Sequence, residues 1–170
     1  AAEYRKAAKN SGVQASGVVQ QPTVKSTYTA EQQAEEMLLA VLLEHPELAL
    51  GCQDIVEEVG FVHQARRQIF DCILAHDGEQ TVEVHRLMEI LEDEASSVLA
   101  GILSKNVPDG DCAKIIDDCL RQMKKGFLEK EYEKHRLLAD EYERSGNERF
   151  MDELLESQRI NNEIKRLYGS

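Results

Sequence analysis

Residues 34–49 read AEEMLLAVLLEHPELA, with seven consecutive apolar residues from Met37 to Leu43 and then Glu-His-Pro. Seven residues are too few to span a bilayer, which takes about 20. Strands favour Val, Ile and aromatic side chains, whereas this run is mostly Leu, Met and Ala, all good helix formers. A helix that is apolar on every side belongs at the centre of a helical bundle. Thr29-Ala-Glu-Gln32 opens it with the capping-box pattern, a hydroxyl for one orphan amide and a Gln reaching back. Pro46 closes it, because the residue before a proline is pushed out of the α region. The same proline suits the first turn of a short following helix, PELAL.

The composition agrees with a helical chain. With 170 residues there is room for one ordinary domain, or a small domain plus an appendage. Aromatics are 5% and Trp is absent, so the core must be aliphatic. Ten Gly and three Pro are too few for a turn-rich β fold, and no sustained apolar/polar alternation appears. The expected class is all-α.

Charge is distributed unevenly. Residues 1–30 hold Arg5, Lys6, Lys9 and Lys25 against Glu3, a net of +3; the other 16 basic and 31 acidic residues leave −15 on residues 31–170. So acidic a surface repels phosphate backbones, which argues against tight nucleic-acid binding. Cys52, Cys72, Cys112 and Cys119 form no CxxC pair and read as small buried hydrophobes in a reduced, cytoplasmic chain. The five histidines are scattered without HExxH or Cys/His spacing, so no metal site is expected. Asp109-Gly110-Asp111 lacks the rest of a calcium loop, and no Gly-rich phosphate loop or activated nucleophile occurs. The expectation is a fragment with no catalytic, cofactor-binding or metal residues, and no membrane association.

Along the chain, residues 1–28 read as the tail and linker of an upstream domain. Helices are expected at 54–59, ending at Gly60, at 62–76, at 81–93 behind the capping candidate Thr81, and at 95–105. From Asp111, Cys112, Ile115, Ile116, Cys119, Leu120, Met123 and Phe127 recur at three and four, one face of a helix packed on the bundle. The stripe then fades through LEKEYEKHR (128–136), which predicts a helix leaving the core and running through solvent. Ser145-Gly146-Asn147 breaks it, and a last helix runs over 148–169. The expected architecture is therefore a helical bundle (29–127) joined by a long helix to a C-terminal helical hairpin (128–170).

The hairpin carries more apolar side chains than its arms need. The first arm offers Leu137, Leu138 and Tyr142; the second offers eight large apolar residues. At 100° per residue, Phe150, Met151, Leu154 and Leu155 centre on one direction, and Ile160, Ile164 and Leu167 lie roughly 120° away. The first set is assigned chiefly to closing the hairpin and the second, with Tyr168, to a partner, a helix laid in a groove through anchors at three- and four-residue spacing. Candidate partner-binding residues are thus Ile160, Ile164, Leu167 and Tyr168, with Tyr142, Phe150 and Leu154 alongside.

AEEMLLAVLLEHPELA (34–49), HQARRQIFDCIL (63–74) and the terminal LLESQRINNEIKRL (154–167) together resemble the carboxy-terminal helicase-interaction domain of bacterial DNA primase. The resemblance covers about residues 29–169. It implies a helical bundle linked by a long helix to a helical hairpin, and docking of that hairpin onto the amino-terminal domains of the hexameric replicative helicase. It further implies a role in priming and unwinding at the replication fork, with the zinc-binding and polymerase parts of a primase lying upstream. The amino-terminal domain of the helicase itself is similar in fold, but its Gly-Gly-x-x-Tyr-Leu stretch is replaced here by ASSVLAGIL (95–103). A generic helical adaptor is the third reading.

Overall fold

In a computed structural model, described for residues 29–76 and 82–169, the chain folds into seven α-helices and two 3-10 turns, with no strand among the described residues. Helix α1 (Ala30–Glu44) is the axis. Thr29 Oγ1 accepts from the Gln32 amide at 3.1 Å and Gln32 Oε1 accepts from the Thr29 amide at 3.3 Å, so the expected capping box is present. Leu38, Leu39, Val41 and Leu42 are fully buried and Ala40 nearly so, which is why this run tolerates no polar side.

Pro46 ends α1 as expected, but PELAL forms no regular α-helix: Pro46–Leu48 and Leu50–Cys52 are successive 3-10 turns that lead into α2 (Gln53–Val59). Gly60 closes α2 with φ 69° and ψ −175°, a positive-φ conformation open to glycine. Helix α3 (Gln64–Ala75) follows, burying Ala65, Ile69, Phe70 and Ile73. The helix expected over 81–93 is shorter than the sequence suggested. Helix α4 (Val84–Ile90) stops where Leu91 turns extended (ψ 146°) to bury its side chain, and Asp93 and Glu94 then open α5 (Asp93–Leu103). Acidic residues are favourable in a first turn, where they face unpaired amides. Thr81 and the expected linker 1–28 lie outside the described residues.

Helix α6 (Cys112–Ser145) is one unbroken 34-residue element capped by Asp111, whose carboxylate accepts from the Ala113 amide at 3.0 Å. Its first third buries Ile116, Cys119, Leu120 and Met123 against α1 and α2. Gly126 lets the start of α1 cross closely. A β-carbon there would stand 2.6 Å from Glu31 Cδ, and the Glu31 carboxylate is itself held by Lys130 at 2.7 Å. Gly146 (φ 69°, ψ 27°) terminates α6 in a Schellman turn, with the Asn147 amide donating to Tyr142 O and the Gly146 amide to Glu143 O. Helix α7 (Phe150–Tyr168) then runs back along α6, its most extensive neighbour.

The expectation that 128–136 crosses solvent uncovered is therefore corrected. Leu128 is buried and Tyr132 and His135 are half-buried because α7 covers them. The fading stripe reflects a partner helix, which needs a narrower apolar seam than a bundle core does.

Candidate partner-docking surface

Two contacts fix how α7 lies on α6. His135 Nδ1 bonds the Glu153 carboxylate, and Arg121 Nη2 donates to the Leu167 carbonyl at 2.7 Å. These pairs are 18 and 46 residues apart in sequence, yet both are centred on Arg144. That shared centre defines one antiparallel register, in which Leu128 and Ile160 stand level. Both are buried, at 6% and 3% exposure, and neither belongs to the bundle's main core. The hairpin thus has a small core of its own.

The contacting positions recur at three and four on each helix: Leu128, Tyr132, His135, Ala139 and Tyr142 on α6, and Phe150, Glu153, Ser157, Ile160, Ile164 and Leu167 on α7. All are buried or half-buried. This is the 3.5-residue repeat of paired helices. Ser157 is admitted to the seam because its hydroxyl donates to Leu154 O at 2.7 Å, which leaves no unsatisfied polar atom there.

The sequence-derived division of faces is corrected by this geometry. Ile160, assigned to a partner, is buried inside the hairpin. Met151 and Leu155, assigned to closing it, are 49% and 58% exposed, and Leu137 of the first arm is 53% exposed. Tyr142, Phe150, Leu154, Ile164, Leu167 and Tyr168 are half-buried along the seam and its edges. The drift of a 3.6 period from the 3.5 repeat, roughly 20° per heptad, is too small over α7 to part the two patches; the first was drawn away from the seam by Met151 and Leu155, apolar residues that lie off it. The spacing of Phe150, Glu153, Ser157 and Ile160 held the signal, hidden because two of these four are polar.

Met151 and Leu155 lie one turn apart on the face of α7 turned away from α6, and Leu137 on the outer face of α6. They therefore point to opposite sides of the hairpin. Around the tip, Glu141, Glu143, Glu148 and Asp152 are exposed and make no ion pair among the described residues. Glu141 and Glu143 stand in the last turns of α6, where negative charge opposes the helix dipole. Arg136 beside Glu133, and Arg159 beside Glu156, hold those carboxyls below their usual range.

A second feature lies at the other end of α7. The Arg121 guanidinium stands 5.3 Å from the centre of the Tyr168 ring, and burial pushes the Tyr168 hydroxyl above its ordinary pKa. Ile55, Leu120, Leu167 and Tyr168 wall a cleft of about 370 Å³ where α2, α6 and the end of α7 meet, with Asp117, Arg121 and Lys124 at its edge.

The described residues include no group of three or more His, Cys, Asp or Glu side chains placed to hold a metal ion, and no helix long and apolar enough to cross a membrane. No family model, no curated protein and no solved structure matches this chain.

Proposed function

We propose that the chain is a protein-interaction domain of a bacterial DNA primase that docks on the amino-terminal domains of the hexameric replicative helicase, and is not itself an enzyme. The observation that carries this reading is the α6–α7 hairpin. It closes on its own seam, yet leaves Met151 and Leu155 half-exposed on one outer face of α7. Fully burying a side chain of this size is worth about 1.5–3 kcal/mol, and two neighbours one turn apart form the start of a helix-in-groove contact. The three quoted sequence motifs support the same reading through their resemblance to the primase domain.

In this account Met151 and Leu155 replace Ile160 as contact residues. Tyr142, Phe150 and Leu154 flank them near the tip, and the bundle carries the hairpin toward the helicase ring. The test is direct mixing of the full chain with purified hexameric replicative helicase. A co-eluting complex in size-exclusion chromatography is expected; two separate peaks at tens of micromolar protein would overturn the proposal.

A further inference from the structure

The exposed apolar face near the hairpin tip is set in negative charge. Residues 140–152 hold five acidic residues against Arg144 and Arg149, a net of −3. On α7, Asp152 follows Met151 directly and stands three residues before Leu155; Glu148, in the turn that enters the helix, stands three residues before Met151. Residues three and four apart are neighbours on a helical surface, so the two apolar side chains and these two carboxylates share one outer face.

Glu148 and Asp152 have an explanation within the fold, since negative charge is favourable beside the free amides at the start of a helix. Glu141 and Glu143 have none. They stand in the last turns of α6, on either side of the seam residue Tyr142, where the unpaired carbonyls favour cations instead. Neither makes an ion pair among the described residues. Arg144, three residues after Glu141, gives its Nε to the Asp140 carbonyl at 3.3 Å, and the Asp140 carboxylate lies 3.4 Å from Arg136. The chain thus keeps two carboxylates where folding disfavours them. A local rule broken without a gain to the fold marks a position held for function.

We propose that the tip docks in a partner groove whose apolar floor receives Met151 and Leu155 and whose edges carry lysine and arginine, which meet Glu141, Glu143, Glu148 and Asp152. This rests on the reading of the hairpin as the docking element and adds the chemistry of the surface it meets. A second copy of the chain is a poor occupant, because its tip carries the same sign and residues 31–170 carry −15. A surface of phosphate groups repels the tip in the same way. Charges at the rim of an interface act mainly on the encounter rate and its salt dependence. The Debye length is about 8 Å at 0.15 M salt, so the tip charges act on an approaching partner at close range.

The test uses the full chain and purified hexameric replicative helicase, with association rates measured at about 0.05 and 0.3 M NaCl. The parent's rate should fall about tenfold or more between the two salts. Glu141→Lys with Glu143→Lys should lower the rate at low salt by about tenfold or more, while raising the thermal midpoint of the free chain by about 2 °C or more, because the end of α6 is relieved. Glu148→Lys with Asp152→Lys should slow association as much but lower the midpoint. The same loss of docking with opposite effects on stability separates contact from folding. Unchanged or faster association of both folded variants would overturn the charge pairing, and would leave the docking reading standing if Met151→Ser with Leu155→Ser still abolishes binding. No binding by the parent would overturn both. A dimer of the free chain that Met151→Ser with Leu155→Ser dissolves would assign the face to a second copy and overturn the proposal as well.

Discussion

The Arg66 guanidinium meets the Glu35 carboxylate at 2.7 Å with only 5% and 1% of their side chains exposed, joining α3 to the central helix inside the bundle. The other Glu35 oxygen accepts from the Val62 amide at 2.6 Å, so one buried carboxylate fixes both the entry loop and the first turn of α3. Glu36, at 3.3 Å from Arg66 and 3.2 Å from Lys105, extends the network to the surface. Losing one member of a buried pair strands the other, at a cost of about 3–5 kcal/mol. Glu35→Ala is expected to destabilise the bundle by that amount, read from urea denaturation. A loss below about 1 kcal/mol, the scale of an exposed pair, would show that the network contributes little.

The same residue sets a pH dependence of unusual sign. Burial pushes the Glu35 carboxyl above its ordinary value of 4.5, against the opposing pull of the Val62 amide and Arg66. The folded state therefore keeps this proton to higher pH than the unfolded chain does. Its contribution to stability is greatest below the ordinary value and declines as pH rises from 4.5 through the raised folded value. Relative to Glu35→Gln, the parent should lose stability across that window. A difference that stays flat, or grows with pH, would contradict the assignment.

Much of this fold was legible in the sequence, and the failures share a cause. The capping box at Thr29, the stop at Pro46, the helix ends at Gly60 and Gly146 and the burial of Leu38–Leu42 follow from local chemistry, and all appear. What was misread depends on tertiary partners. Nothing local in the sequence marks Glu35 and Arg66, because no short-range pattern says that two distant residues will meet in a core. On α7, Ser157 and Glu153 occupy seam positions that apolar counting passes over, so Ile160 was placed outside and Leu155 inside. The shortening of α4 at Leu91 likewise reflects a side chain pulled into the core against its helical surroundings.

Gly126 and Glu31 should be energetically coupled. Alanine is favoured over glycine within a helix by about 1 kcal/mol, but a β-carbon at 126 would displace the Glu31 side chain from its place beside Lys130. Gly126→Ala is expected to change stability little in the parent and to stabilise by about 1 kcal/mol when Glu31 is already Ala. Equal effects in the two backgrounds would show that the close approach is not felt.

Thiol reactivity offers an independent check on the packing of α6. Burial pushes Cys52 and Cys119 up to about 11, and Cys72 also upward. The thiolate is the reactive form, so Cys52 and Cys119 should resist a disulfide-exchange reagent at pH 8 until the chain unfolds. Half-buried Cys112, at the start of α6, should label first. Rapid native-state labelling of Cys119 would mean that α6 does not stay seated on the bundle.

The central claim concerns the outer face of α7, and the most direct measurement is calorimetric titration of purified hexameric replicative helicase with the parent chain and with Met151→Asp, Leu155→Asp. Both side chains are about half exposed, so the thermal midpoint of the free chain should be unchanged. Interface residues that matter cost about 2 kcal/mol or more on disruption, so Kd should rise by about 30-fold or more. An unchanged Kd for the folded double variant would contradict the account and move the docking surface away from this face of the hairpin.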